Sequence, residues 1–174
     1  MVDDQDRRII KYNSLIKYHS IYILLLPTIT YLVFTIIITY PLITDLTNHI
    51  PADLGDPLLN VWTLWWNLEK ITNLDFTNYF DANVMFPYKK SLAFSEHLVG
   101  EAILGLPFYL VKKNPVFVYN ILYILSFVVA GLGMFLLAYF ITKSFPAAFI
   151  AGFIYAFAPH RINQAGHCLL YTSD

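Results

Sequence analysis

NPVFVYNILYILSFVVAGLGMFLLAYFIT, residues 114–142, is a run of 29 residues without a charge, bounded by Lys112 and Lys113 before it and by Lys143 after it. At 1.5 Å per residue a helix of that length exceeds a hydrocarbon core of roughly 30 Å, so the stretch predicts a membrane-spanning helix over 114–142. The composition points the same way. Of 174 residues, 57% are hydrophobic, 17% aromatic and only 13% charged, the last about half of what a soluble domain carries. With 11 Lys+Arg against 12 Asp+Glu there is no basic field to hold a phosphate backbone, which removes the main driving force for nucleic-acid binding. Cys168 is the single cysteine, which leaves no intrachain disulfide and no cysteine-based zinc site. Fourteen Phe and 13 Tyr are too much apolar matter for a solvated, disordered chain.

Working upstream, residues 21–44 form a second uncharged run, containing ILLLPTITYLVFTIIITY, that predicts a first transmembrane helix. Arg7, Arg8, Lys11 and Lys17 precede it, so the positive-inside rule places residues 1–20 in the cytoplasm and Asp45 outside. A cleaved signal peptide has an apolar core of about 7 to 15 residues that ends in small residues, whereas this run is longer and ends TYPLITD. Downstream, residues 144–160 predict a third span, in which AAFIAGFIYAF sets Ala148 and Gly152 four apart, a pattern that lets two helices approach closely. LVGEAILGLPFYLV, residues 98–111, is short and carries Glu101 and Pro107. Runs of that length are more often interfacial or re-entrant than spanning. An amphipathic helix over about 97–111 in the outer interface makes 45–113 one extracytoplasmic loop and brings His160, Arg161 and His167 to the side of Asp45, Asp53 and Asp56. If 98–111 spans instead, the two groups lie on opposite faces.

The loop is far longer than a connection needs, and such loops are usually functional. DLGDPLLNVWTLWWNLEKITN predicts an amphipathic helix over about 57–72, with Asp56 at the N-cap and Pro57 at the first helical position. Leu58, Val61, Trp62, Trp65 and Leu68 then share one face, and the tryptophans suit a helix lying flat at headgroup level. The following residues, rich in Asn, Asp, Tyr and Phe, read as irregular ordered loop. Aromatics among carboxylates and amides fit a sugar-binding surface, and they fit a well-packed loop at a bilayer surface equally. No Walker loop, dinucleotide glycine fingerprint, HExxH or CxxC occurs in the chain, so any chemistry comes from scattered acids and histidines.

In four segments, GDPLLNVWTLWW (55–66), NVMFPYKKSLAFSEHLVGEAILGLPFYLV (83–111), NPVFVYNILYILSFVVAGLGMFLLAYFITK (114–143) and FIYAFAPHRINQAGH (153–167), the chain resembles a group of bacterial multi-spanning proteins similar to the GT-C glycosyltransferases. Together they cover 86 of the 174 residues. The resemblance implies an all-α membrane protein: a GT-C-like N-terminal transmembrane module whose large outer loop carries amphipathic helices. It implies transfer of a sugar from a polyprenyl-phosphate donor to an acceptor hydroxyl on the extracytoplasmic side. By position Asp56 takes the catalytic place, with Asp45 and Asp53 as rivals, acting as general base or orienting group for the acceptor hydroxyl. Glu96 and His97 stand at the family's second polar cluster, and His160, Arg161 and His167 stand where polar residues meet donor phosphate. A lipid phosphate leaves readily at neutral pH, so a cationic clamp suffices there.

Each of these residues also has a structural reading. Asp56 caps a helix, Asp45 and Asp53 are solvated loop acids, Glu96 caps the next helix, His97 is a satisfied interface histidine, and Arg161 snorkels to headgroups. Glu101 has to face protein or water if its helix enters lipid. Two histidines and a carboxylate would also hold a divalent metal, but no fixed ligand spacing is present, and neither metal nor cofactor is assigned. The partners implied are the lipid-linked donor and membrane lipids; protein partners, sugar and acceptor are not specified. Enzymes of this type have more than three spans, so the chain reads as an N-terminal fragment. Its last residues, CLLYTSD (168–174), look like a translated sequencing remnant. A non-catalytic membrane protein or a lipid-linked-glycan transporter is the alternative from a different class.

Overall fold

The structure, a computed structural model, describes residues 22–51, 55–84, 87–94 and 96–164. The expected cytoplasmic N-terminus, Asp53, His167 and the 168–174 tail lie outside the described residues. Those described are all-helical, without a strand among them. The helices are α1 (Tyr22–Ile38), α2 (Asp56–Thr72), α3 (Val99–Val111), α4 (Pro115–Thr142), α5 (Phe145–Ala156) and α6 (Pro159–Gln164), with short 3-10 turns at Leu42–Thr44 and Ser91–Phe94. Among them α4 is the one helix long and apolar enough to cross a membrane. Two compact bodies result: α1 with α5 and α4 from Phe127 onward, and the segments between Ile38 and Ser126 with α6.

The bounds of α4 follow from its ends. Asn114 Oδ1 accepts the Phe117 N–H at 3.0 Å as a side-chain cap, and Pro115 opens the helix where its missing donor costs nothing. At the other end the Lys143 N–H donates to Tyr139 O at 2.9 Å with φ 53°, a left-handed exit. α1 stops at Ile38 rather than running to residue 44, because Pro41 cannot donate and disfavours helix at Tyr40. α5 ends at Ala156, short of the expected 160, and Pro159 opens a new helix. Its 12 residues reach about 18 Å, less than a hydrocarbon core.

Tyr31 is the centre of the first body. It is fully buried, donates its hydroxyl to Phe149 O at 2.9 Å and stacks on the Phe149 ring at 5.6 Å. Two glycines make room for it. A Cβ at Gly131 would stand 2.8 Å from the Tyr31 ring; one at Gly152 would collide with the Tyr31 hydroxyl and stand 2.6 Å from Gly131 O. Ala148 and Ala156 continue the buried stripe, so the Ala148/Gly152 spacing lies at a helix contact. Phe34 closes on Phe153 and Phe157 at 4.8 and 4.7 Å.

In the second body α2 packs on α3. The buried face of α2 is Pro57, Asn60, Val61, Thr63, Leu64, Asn67 and Leu68, whereas Leu58 and Trp65 are exposed. The face is therefore turned from the expected one, because Asn67 is buried with its hydrogen bonds made. Tyr109 of α3 donates to Glu69 of α2, whose other oxygen accepts Asn73 Nδ2 at 3.2 Å. α3 also folds back on the start of α4, since a Cβ at Gly105 would meet Val118 Cγ1 at 2.5 Å and Leu122 Cδ1 at 3.3 Å. Its 13 residues extend about 20 Å.

Gly152→Ala is expected to destabilise the protein by about 1–3 kcal/mol, because the neighbours of its Cβ are backbone and a buried ring. Gly133→Ala, with nothing within 4 Å of its Cβ, is expected to be neutral or to stabilise by up to about 1 kcal/mol. Thermal unfolding of the two variants side by side in one detergent checks the difference.

Candidate functional site

The first loop after α1 is built around Asp45. Its Oδ1 accepts the Thr47 N–H at 3.2 Å, the Thr47 hydroxyl at 3.1 Å and the Asn48 N–H at 3.2 Å. The Asn48 side-chain amide reaches both carboxylate oxygens, at 2.9 and 3.1 Å. His49 Nδ1 lies 3.0 Å from Oδ2. A short acidic side chain bonding the next backbone amides is the turn chemistry that aspartate favours. The Asn48 amide, with the Thr47 and Asn48 donors and against the cost of desolvation, holds the Asp45 carboxyl down at about 2.

Two amides of α4 fasten this loop. Asn114 donates to Thr47 O at 3.2 Å, and Asn120 donates to Leu46 O at 2.9 Å and His49 O at 2.7 Å. Asn120 is fully buried, and a buried amide costs free energy unless it finds partners. Here the partners are carbonyls of a loop more than 70 residues away in sequence. Its Oδ1 is a buried acceptor without a hydrogen-bond partner among the described residues.

Further along the same helix stands Arg161. Its guanidinium donates to Ser126 O at 3.1 Å. Ser126 lies about 16 Å along α4 from Pro115 and about 9 Å from Asn120. Arg161 therefore does not stand at the outer end of an extended third helix, as the sequence predicts, but part-way down α4 on the short helix α6. These contacts make a polar seam along α4, with the Asp45 loop held by Asn114 and Asn120 at one end and Arg161 held by the Ser126 backbone carbonyl at the other.

The remaining expected residues are placed as follows. Asp56 is not the N-cap of α2: Gly55 is, without a side-chain bond, and Asp56 is the first helical residue. A first-turn acid there is still favoured by the helix dipole. Glu96 and His97 are exposed. The His97 carbonyl accepts from Asn67 of α2, and its ring is edge-on to Phe80 at 5.7 Å. Asn67 in turn accepts from the Tyr79 hydroxyl, and Trp66 Nε1 donates to Tyr79 O at 3.0 Å. That cluster anchors Glu96 and His97 to α2, separately from the α4 seam. His160 is exposed on α6. Among the described residues no group of three His, Cys, Asp or Glu comes together to hold a metal ion; the Asp45–His49 pair supplies two such groups.

Sequence reading passed over Asn67, Asn120 and Ser126. For Asn120 the available signal was a polar side chain inside an uncharged apolar run, which is expensive there and needs a named partner; Ser126 meets Arg161 through its backbone carbonyl, which no residue type signals.

Asp45 gives a pH test. Its folded-state pKa is lowered from the ordinary 3.8 to about 2, so the order it confers is present above pH 3.8 and is lost as pH falls toward 2. Hydrogen exchange at the Thr47 and Asn48 amides, followed from pH 5 downward, is expected to stay slow until that window. Asn120→Ala is expected to cost about 1–3 kcal/mol by stranding two carbonyls, with exchange rising at 46–49 and unchanged around Asn67. No protein-family model matches this chain, and no curated protein sequence or solved structure is detectably similar to it.

Proposed function

We propose that this chain is part of a membrane-embedded glycosyltransferase of GT-C type, which passes a sugar from a polyprenyl-phosphate donor to an acceptor hydroxyl at the outer membrane face. Its placement in a bilayer is supported by α4 and by the apolar surface around it: Leu25, Leu26, Ile29 and Val33 of α1 and Val129, Leu137 and Ile141 of α4 are about half exposed or more. Water disfavours such a surface and lipid does not.

The observation that carries the catalytic reading is the seam on α4. It fastens an ionised carboxylate at Asp45 and a guanidinium at Arg161 to one stretch of helix, within one body. A guanidinium offers five donors and pairs bidentately with phosphate, so Arg161, with His160 beside it, suits the phosphate of the lipid donor as negative charge builds on the leaving group. Asp56, at the head of the amphipathic α2, is the residue assigned to the acceptor hydroxyl, with Asp45 and Asp53 its rivals. Glu96 and His97, presented with Phe80 on the α2 cluster, offer polar and aromatic contacts to a sugar.

The test is transfer of a labelled sugar from polyprenyl phosphate in proteoliposomes containing the complete gene product. Removing a general base costs 10²–10⁴-fold, so Asp56→Asn is expected to lose about 100-fold or more, and Arg161→Lys to raise the KM for donor about tenfold. Wild-type rates in Asp56→Asn with loss in Asp45→Asn would move the acid to Asp45. Retention in both and in Asp53→Asn, or movement of the lipid-linked sugar between leaflets with no new glycosidic bond, would replace the transferase with a transporter or a non-catalytic protein.

A further inference from the structure

A second polar site lies in the first body, at the end of α4 away from the seam. Tyr22 and Ile23 of α1, Tyr139 and Lys143 of α4 and its exit turn, and Phe145 of α5 line a half-open cleft of about 310 Å³. That volume is at the lower end of the range for small-molecule sites. Its lining has two kinds of surface. Lys143 and the hydroxyls of Tyr22 and Tyr139 supply one cation and two neutral donors, while Ile23, Phe145 and the tyrosine rings supply an apolar wall.

Lys143 is held at the cleft by its backbone. It is the left-handed residue that ends α4, at φ 53°, a position that glycine or asparagine fills at lower cost. Its Nζ lies over the Phe140 ring, 4.6 Å from the centroid, which keeps the ammonium at the rim. Beside the cleft the outer faces of Phe140 and Ile141 are more than two-thirds exposed. A polar mouth with one cation, opening onto bare apolar helix, fits an amphiphile with an anionic head.

We infer that this cleft binds the phosphate headgroup of an anionic membrane lipid, with the acyl chains along Phe140 and Ile141. The inference rests on the bilayer placement proposed above, in which Lys143 lies on the cytoplasmic side, and does not depend on glycosyl transfer. The phosphate diester would pair with Lys143 and accept from Tyr22 and Tyr139. A free phosphate offers the same head without the chains, so the two sources are separable.

The experiment is lipid binding by the purified chain in neutral detergent, read by native mass spectrometry and by thermal shift. The probes are phosphatidylglycerol, phosphatidylcholine with the same acyl chains, and inorganic phosphate. The expected result is that phosphatidylglycerol binds and stabilises in preference to the other two. Lys143→Asn removes the charge from a position where asparagine suits the backbone, so the fold is retained, and phosphatidylglycerol binding is expected to weaken about fivefold, the factor for one basic residue at an anionic surface. Tyr139→Phe is expected to weaken it further, whereas Lys112→Gln, at the other end of α4, leaves it unchanged. Equal binding of the two lipids by the wild type, an undiminished preference in Lys143→Asn, or a stabilisation that inorganic phosphate reproduces would each overturn the assignment. Absence of glycosyl transfer in the wild type, with the lipid preference present, would count against the transferase reading alone.

Discussion

The second body depends on what the Asn120 amide does inside α4. An uncharged helix in an apolar setting has no reason to choose one neighbouring loop over another, since dispersion contacts are similar for many packings. A buried amide changes this, because it costs least where its donors find carbonyls. Asn120 meets the carbonyls of Leu46 and His49, and with Asn114 on Thr47 it fixes the Asp45 loop at the start of α4. Asn67 does the equivalent work on α2, where one side chain bonds Thr63, His97 and Tyr79. Each asparagine joins segments far apart in sequence, and the candidate residues stand on those segments.

Among its described residues the first body has no such amide and is held by shape. Gly131 and Gly152 give up side chains so that Tyr31 can lie between α4 and α5 and reach Phe149 O. Helices that associate in lipid gain little from the hydrophobic effect and rely on close approach and on satisfied polar groups. Tyr31 provides both, because its ring fills the space left by two missing Cβ atoms and its hydroxyl is bonded.

How far the sequence was readable varies with the kind of signal. α4 was legible almost to the residue, since a long uncharged run, an asparagine cap and flanking lysines all mark the same bounds. α1 and α5 were legible as helices and overextended in length: hydropathy continues past Ile38 and Ala156, but Pro41 and Pro159 interrupt the backbone there. The face of α2 was misjudged because hydrophobicity was used to choose it, and Asn60 and Asn67 are buried. Of the packing, the Ala148/Gly152 contact was visible; of the candidate site, the sequence offers Asp45 but not the turn partners that hold it. Gly131, Tyr31 and the tether from Asn120 were not, because each owes its role to a partner on another helix, and a single sequence does not show which residues will meet.

The state of Asp45 bears on what it could do in the proposed reaction. A carboxylate held near 2 by Asn48 and Thr47 is a weak base at neutral pH, and general-base catalysis works best with a pKa near the operating pH. The interactions that order the loop thus take from Asp45 the property a base needs and leave it a fixed negative charge. On the proposed reading that charge orients, either by accepting a hydrogen bond from a sugar hydroxyl or by steadying His49 beside it. The proton of the acceptor hydroxyl then has to go elsewhere, and Asp56 is the other described acid assigned to this step. The tether and the choice of base are therefore linked: the more firmly Asn48 and Thr47 hold Asp45, the less it can act as the base, and the more the reaction depends on the head of α2.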